Sequence, residues 1–328
     1  MQRRQFILGA AAGLAIPSLA ASSLVRAAGS EISGPVRIVV GFAPGGGTDV
    51  LARVIGQKLG MMWNTSVVVE NKPGATGAIA AAFVAKQPAD GTTLLMAHVN
   101  SHAIAPALLD VKYDPTTDFT PISMVGVTPN MLTCRPEQKV RTVAEIVELC
   151  RKKPGQVSFG SSGIGSAQHL ALELFRLQAK LDVVHVPYKG SGPLIADLLG
   201  GQIDYAFDTM TAATPFIAQG KVIAIAQTRL KRAASHPNVP TLAESGFPGL
   251  DAASWYGLVG PKGMSPALVQ RMNQDVNKAL AMPDVAEKLK SFGAEDSGGT
   301  SQQFGAFIAS EASKWGKVVK QAGVKAEV

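Results

Sequence analysis

From residue 36 onward, short β-branched and aliphatic runs alternate with longer stretches in which apolar positions recur every three or four residues, and glycine or proline marks each change of period. The short runs predict strands over residues 36–42, 66–70 and 92–97, and the longer ones predict helices over 49–59 and 78–86. Such alternation argues for an α/β fold with a parallel, helix-covered sheet. The same order of parts then recurs. A strand over 157–160, a glycine-serine elbow, a helix over 167–178 and a strand over 182–186 are followed by a turn over 187–192, a helix over 193–199 and a strand over 203–207. Gly45 stands almost as far from Gly163 as Gly74 does from Gly190, so the two series read as copies of one βαβαβ unit.

Two copies imply two similar domains, each offering helix N-termini beyond the carboxyl ends of its strands, where open α/β sheets bind ligands. Residues 119–133 form an apolar stretch, broken by Gly126 and Pro129, that suits a strand crossing between the domains. A return crossing is expected over 252–260, followed by helices over 265–280 and 301–320 packed on the first domain. The expected division is residues 35–128 plus 251–328 for the first domain and 129–250 for the second, with the paired crossings forming a hinge.

The first elbow runs through Phe42, Ala43, Pro44, Gly45, Gly46 and Gly47 into the helix that contains Asp49. Three successive glycines remove the side chains that would keep a ligand off the backbone. A helix starting just after them points unpaired N–H groups, with about half a positive charge, into that gap. A tight strand-to-helix connection would need one glycine, so three point to an anion on the backbone. Asp49, in the first helical turn, would repel that anion and is assigned to supporting the dipole and capping N–H groups. The second elbow offers hydroxyls at Ser161, Ser162 and Ser166 and backbone N–H groups at Gly163 and Gly165, with His169 three residues on. Its alternative reading is an N-cap, a role open to Ser166. Facing each other, the elbows would form opposed anion sites suited to a dicarboxylate, or to one carboxylate and a second polar end. Asn100 and Ser101, on the loop at the cleft end of the sheet, and Asp208 and Thr209, at the end of the equivalent strand in the second copy, are further ligand candidates. For Asp208 a structural role holding loop amides stays open. Trp255 and Tyr256 read as core or hinge packing that can also wall the pocket.

Composition narrows the class. With 328 residues, 46% of them hydrophobic, the chain can bury more than one small core. The formal charge of +7 includes Arg3, Arg4 and Arg26 of the N-terminal stretch, and the remaining excess is scattered, so no nucleic-acid surface is expected. Arg3 and Arg4, then an uncharged Ala- and Gly-rich run to Val25, resemble a twin-arginine export signal over residues 1–28, cleaved near Ala27 or Ala28 into the periplasm. An uncleaved anchor is the alternative, weakened by Gly9, Gly13 and Pro17. Cys134 and Cys150 are read as buried thiols, with a disulfide left open. His98 and His102 lack a third ligand at metal spacing, so no metal is expected, and no cofactor. Enzyme signatures are also incomplete. The first elbow lacks the Lys-Ser/Thr pair of a P-loop, the second lacks the third glycine of a dinucleotide fingerprint, and neither supplies Gly-x-Ser-x-Gly.

Taken in order, residues 42–49, 70–77, 89–91, 118–122, 163–170, 186–190, 240–246 and 255–258 resemble the solute-binding receptors of tripartite tricarboxylate transporters, the TctC or Bug family, over essentially the whole mature chain. Thr92 departs from the pattern where an aromatic residue is more usual, on the entry side of the strand. The resemblance implies a two-domain periplasmic binding protein of the Venus-flytrap kind, a monomer that closes on a small carboxylate (a di- or tricarboxylate, an acidic amino acid or an aromatic acid) and delivers it to inner-membrane permease subunits. It also implies that Pro44, Gly45, Gly46 and Gly47 hold a ligand carboxylate through their backbone, largely by way of water. A sensor presenting the same closed form to a membrane receptor is the alternative role.

Overall fold

The computed structural model describes residue 32 and residues 34–325; the expected leader lies outside the described residues. Two five-stranded sheets form the two domains. In the first, β1 (Val36–Val40), β2 (Val67–Asn71), β3 (Thr93–His98), β4 (Phe119–Thr128) and β10 (Ser254–Pro261) lie in the order β2-β1-β3-β10-β4. In the second, β5 (Asn130–Cys134), β6 (Ser158–Ser161), β7 (Val184–Pro187), β8 (Tyr205–Thr209) and β9 (Ile223–Gln227) lie in the order β7-β6-β8-β5-β9. The three strands from each repeat are parallel, as expected. Each sheet also carries an antiparallel fourth strand, β10 or β5, which strand composition alone did not reveal.

The crossings explain that fourth strand. The expected single strand over 119–133 is two strands divided at Pro129, which supplies no N–H for a continuing ladder. The chain leaves the edge of the first sheet as β4 and enters the second as its fourth strand, β5; it leaves the edge of the second as β9 and re-enters the first as β10. Each lobe thus contains a strand entered directly from the other.

Alternation along β1 dresses both faces of the first sheet. Ile38 and Val40 pack with Leu51, Ile55 and Leu59 of α1 (Gly47–Trp63) and with Met272 and Val276 of α8 (Pro266–Leu280). Val39 joins Ala81 and Val84 of α2 (Ala78–Val84) and Phe304 and Ile308 of α10 (Ser301–Ala322). That second cluster continues into the other lobe, where α10 packs against α5 (Ala167–Ala179). The remaining helices are α3 (Ala105–Leu108), α4 (Val143–Lys152), α6 (Ser191–Leu199), α7 (Met210–Ala218) and α9 (Pro283–Ser291). Capping boxes start α4, with Thr142 and Glu145, and α10, with Thr300 and Gln303. Cys134 and Cys150 are buried free thiols. No described helix is long and apolar enough to cross a membrane.

Four histidines are held inside this framework. Burial pushes His98 and His102 down from 6.5 to about 3, and His169 and His185 to about 4, because desolvation disfavours the imidazolium. Burial raises Asp208 to about 6.

Two outcomes are expected. Below pH 6.5 the unfolded chain takes up histidine protons that the folded chain refuses, so stability falls as pH drops toward 4; Asp208 opposes this between about 6 and 3.8 with a single group. The melting temperature at pH 4.5 should therefore lie below that at pH 7, and a flat profile would contradict buried neutral histidines. Gly257 in β10 admits the ring of Phe304, since a Cβ there would stand 2.1 Å from Cζ. Gly257→Ala should cost about 1–3 kcal/mol of unfolding free energy, measured by denaturant titration.

Candidate functional site

The carboxyl ends of β1, β3, β6 and β8 meet across the boundary between the lobes. Asn100 Oδ1 of the first lobe accepts from the Ala167 N–H at the start of α5 at 2.9 Å, and Thr76 Oγ1 donates to the Ile164 carbonyl at 3.4 Å. A Cβ on Gly165 would strike Leu108, and one on Gly47 would stand 2.7 Å from Tyr256 Oη and 3.3 Å from Thr211 Cβ. Both elbows thus lie at one inter-lobe cleft.

In the first elbow each glycine has a different reason. Gly45 has φ +85°, a conformation that favours glycine, and Gly47 has no room for a side chain against Tyr256. Gly46 is the exception. It has φ −77° and ψ 168°, open to any residue, and a Cβ there would meet nothing nearer than the Ala43 carbonyl at 3.8 Å. No side chain caps α1. Asp49 instead fixes the elbow from behind. Its Oδ2 accepts from the Gly45 N–H at 2.9 Å and from Arg53 Nε at 3.0 Å, while Oδ1 accepts from Arg53 Nη2 and Asn71 Nδ2, both at 2.9 Å. Burial alone would raise this carboxyl; the bonds from Arg53, Gly45 and Asn71 outweigh it and its pKa is lowered. Asn71 also donates to the Phe42 carbonyl at 3.0 Å, and the Phe42 ring stands edge-on to His98 with centroids 5.1 Å apart. The helix-supporting role assigned to Asp49 matches this geometry. The partners Arg53 and Asn71 were missed, although Arg53 stands one helical turn after Asp49.

The second elbow is locked from beneath. Ser166 caps α5 by accepting from the His169 N–H at 3.1 Å, and His169 Nδ1 accepts from the Gly165 N–H at 3.1 Å. The His169 ring stacks on His185 with centroids 4.0 Å apart, and His185 Nε2 lies 2.7 Å from Ser161 Oγ, which accepts from the Gly163 N–H at 3.3 Å. Ser161 and His169 are therefore engaged in holding the elbow, which corrects the expectation of free donors there, and Ser166 takes the N-cap role left open for it. The helix N-terminus left without a side-chain cap in this lobe is that of α6, beside Gly190 and Ser191.

Asn100 and Ser101 lie not on a loop but in a π-type turn, Asn100–Ile104, running into α3. Ser101 Oγ donates to the His98 carbonyl at 3.1 Å and lies 3.0 Å from His102 Nδ1, so its hydroxyl supports its own turn. Thr209 caps α7, accepting from the Ala212 N–H at 3.3 Å. Asp208 is buried: Oδ1 accepts from Ser191 Oγ at 2.5 Å, the Thr209 N–H at 2.8 Å and Ser162 Oγ at 3.5 Å, whereas Oδ2 has no partner. Tyr256, read as core or hinge packing that can also wall the pocket, stands where the lobes touch, its hydroxyl beside Gly47 and 3.5 Å from Thr128 Oγ1. Among the described residues no group of three His, Cys, Asp or Glu side chains is placed to hold a metal.

Comparison with known proteins gives a consistent picture. The pattern of the family described as "Tripartite tricarboxylate transporter family receptor" matches residues 51–324. Protein BugT of Bordetella pertussis is 36% identical over 318 residues, covering 96% of this chain and 95% of BugT. Among solved structures, a protein of R. palustris with adipate superposes with a TM-score of 0.85 at 36% identity, covering 90% of this chain and 99% of that one. The periplasmic binding protein BugD superposes with a TM-score of 0.83 at 34% identity, covering 90% of this chain and 99% of BugD. Both solved structures share the two-domain α/β fold, and BugD is a periplasmic binding protein. With the family pattern running through both lobes and a relative matched over nearly its whole length, the chain belongs to the tripartite tricarboxylate transporter receptor family.

Proposed function

We propose that the protein is an extracytoplasmic solute-binding receptor that closes its two lobes on a small organic carboxylate and presents the closed form to the inner-membrane permease of a tripartite transporter. In this reading the leader over residues 1–28 directs export, and the lobes divide at 128/129 and 250/251. The observation that carries it is the open backbone at Gly46: no side chain caps the start of α1, and nothing stands nearer than 3.8 Å to where a Cβ would be, so the N–H groups of the elbow are left accessible to a ligand. An anion can approach that backbone between Pro44 and the uncapped start of α1. Adipate in a relative of 36% identity supports a carboxylate as the anion.

The ligand would be held by Pro44, Gly45, Gly46 and Gly47 on one side. On the other, Gly163, the start of α6, Ser162, Thr209 and Asp208 close over it, with Phe42 and Tyr256 as walls and Asn100 joining the lobes. Catalysis has no foothold in the nearest serine–histidine pair, Ser161 and His185, because Ser161 is wholly buried beneath its elbow.

Calorimetry against dicarboxylates, tricarboxylates, acidic amino acids and aromatic acids tests this reading; binding of nucleotides and of no carboxylate would sink it. At a hundred times the dissociation constant, a carboxylate ligand should stabilise the fold by about 2.7 kcal/mol, visible in a melting assay. Gly46→Val, which suits the backbone at φ −77°, should remove binding without lowering the melting temperature of the free protein. Unchanged affinity in that variant would mean the elbow is only a connector.

A further inference from the structure

We propose that Asp208 is the specificity-determining residue of the cleft, selecting ligands that carry a hydrogen-bond donor, an ammonium or a hydroxyl group, in addition to the carboxylate held by the first elbow. The inference rests on the carboxylate-receptor reading and refines its ligand class.

The two carboxylate oxygens are treated unequally. Oδ1 accepts from the hydroxyls of Ser162 and Ser191 and from the Thr209 N–H, which fixes the carboxyl plane at the carboxyl end of β8. Oδ2 is buried and, among the described residues, accepts from nothing. Buried polar atoms are nearly always paired, so an unpaired carboxylate oxygen at a ligand cleft marks the place of a donor that the chain itself does not provide.

The surroundings also decide the sign of charge this end accepts. Asp208 stands at the uncapped start of α6, through Ser191, and at the step into α7, through Thr209. The positive ends of both helices therefore already face an anion belonging to the protein. A ligand carboxylate there would set acceptor against acceptor in a water-poor site, whereas an ammonium or hydroxyl group completes the set. The two elbows are thus unlike in charge preference, the first for an anion and the second for a donor. Burial raises Asp208 to about 6, and a donor bound at Oδ2 would lower it again by favouring the carboxylate.

The test is calorimetry at pH 7.5 with three matched series: succinate, malate and aspartate; glutarate, 2-hydroxyglutarate and glutamate; adipate, 2-hydroxyadipate and 2-aminoadipate. In the series that binds, the hydroxy or amino member should bind at least tenfold tighter than the plain dicarboxylate. Asp208→Asn keeps an acceptor for Ser162, Ser191 and Thr209 but can present a donor in place of Oδ2. It should erase or reverse that ratio while retaining carboxylate binding. Equal affinities in the wild type, or a ratio unchanged in a folded Asp208→Asn, overturn the inference and leave carboxylate capture intact. Failure of every carboxylate to bind overturns the receptor reading itself and this inference with it.

Discussion

Both crossings between the lobes pass through one buried amide. Asn130, the first residue after the Pro129 break, donates through Nδ2 to the Ala252 carbonyl at 2.6 Å, and its Oδ1 accepts from Gln168 Nε2 at 2.8 Å and Ser254 Oγ at 3.1 Å. Its own N–H donates to Thr228 Oγ1, which in turn donates to the Ala252 carbonyl. One residue thereby ties the entry to β5, the start of α5, the exit from β9 and the approach to β10. Each of these buried groups would cost about 1–3 kcal/mol if left unpaired, so the set constrains how the two sheets are joined. Because α5 begins at the second elbow and β10 passes beside the first, the positions of both elbows follow from this junction.

Around it the site is divided between two kinds of chemistry. The first elbow presents backbone, stiffened from behind by the Asp49, Arg53 and Asn71 cluster, and the recognition proposed for it depends on no side chain of its own. The second lobe presents side chains whose hydroxyls and imidazoles are mostly turned inward, leaving few atoms free. With both elbows braced by their own hydrogen bonds, the closure proposed above would act through the relative placement of the lobes, which the Asn100 to Ala167 hydrogen bond joins.

Much of the framework was legible because the signals were local. The repeat, the glycine elbows, the cap at Ser166, and the export of a strand at Pro129 follow from period and punctuation. What escaped were pairings over long sequence separation. The antiparallel placement of β5 and β10, the Asn130 junction and the contact of Tyr256 with Gly47 depend on partners far apart in the chain, and strand composition carries no information about them. The inward use of Ser161 and His169 escaped for a related reason: a serine-rich elbow reads the same whether its hydroxyls face a ligand or a histidine on a neighbouring strand. Helices α7 and α9 were passed over because Pro215 inside the one and the short length of the other weaken their periodicity.

The interleaving of strands between lobes has a consequence for the order of events during synthesis. β10 lies between β3 and β4, so until residues 254–261 leave the ribosome the first sheet has a gap, with β4 lacking its neighbour. The second sheet has all of its strands once β9 is made, well before that point. The lobe that begins the chain is therefore the later to close. Its unpaired edges at β3 and β4 stay open to wrong partners for the time needed to translate the whole of the other lobe.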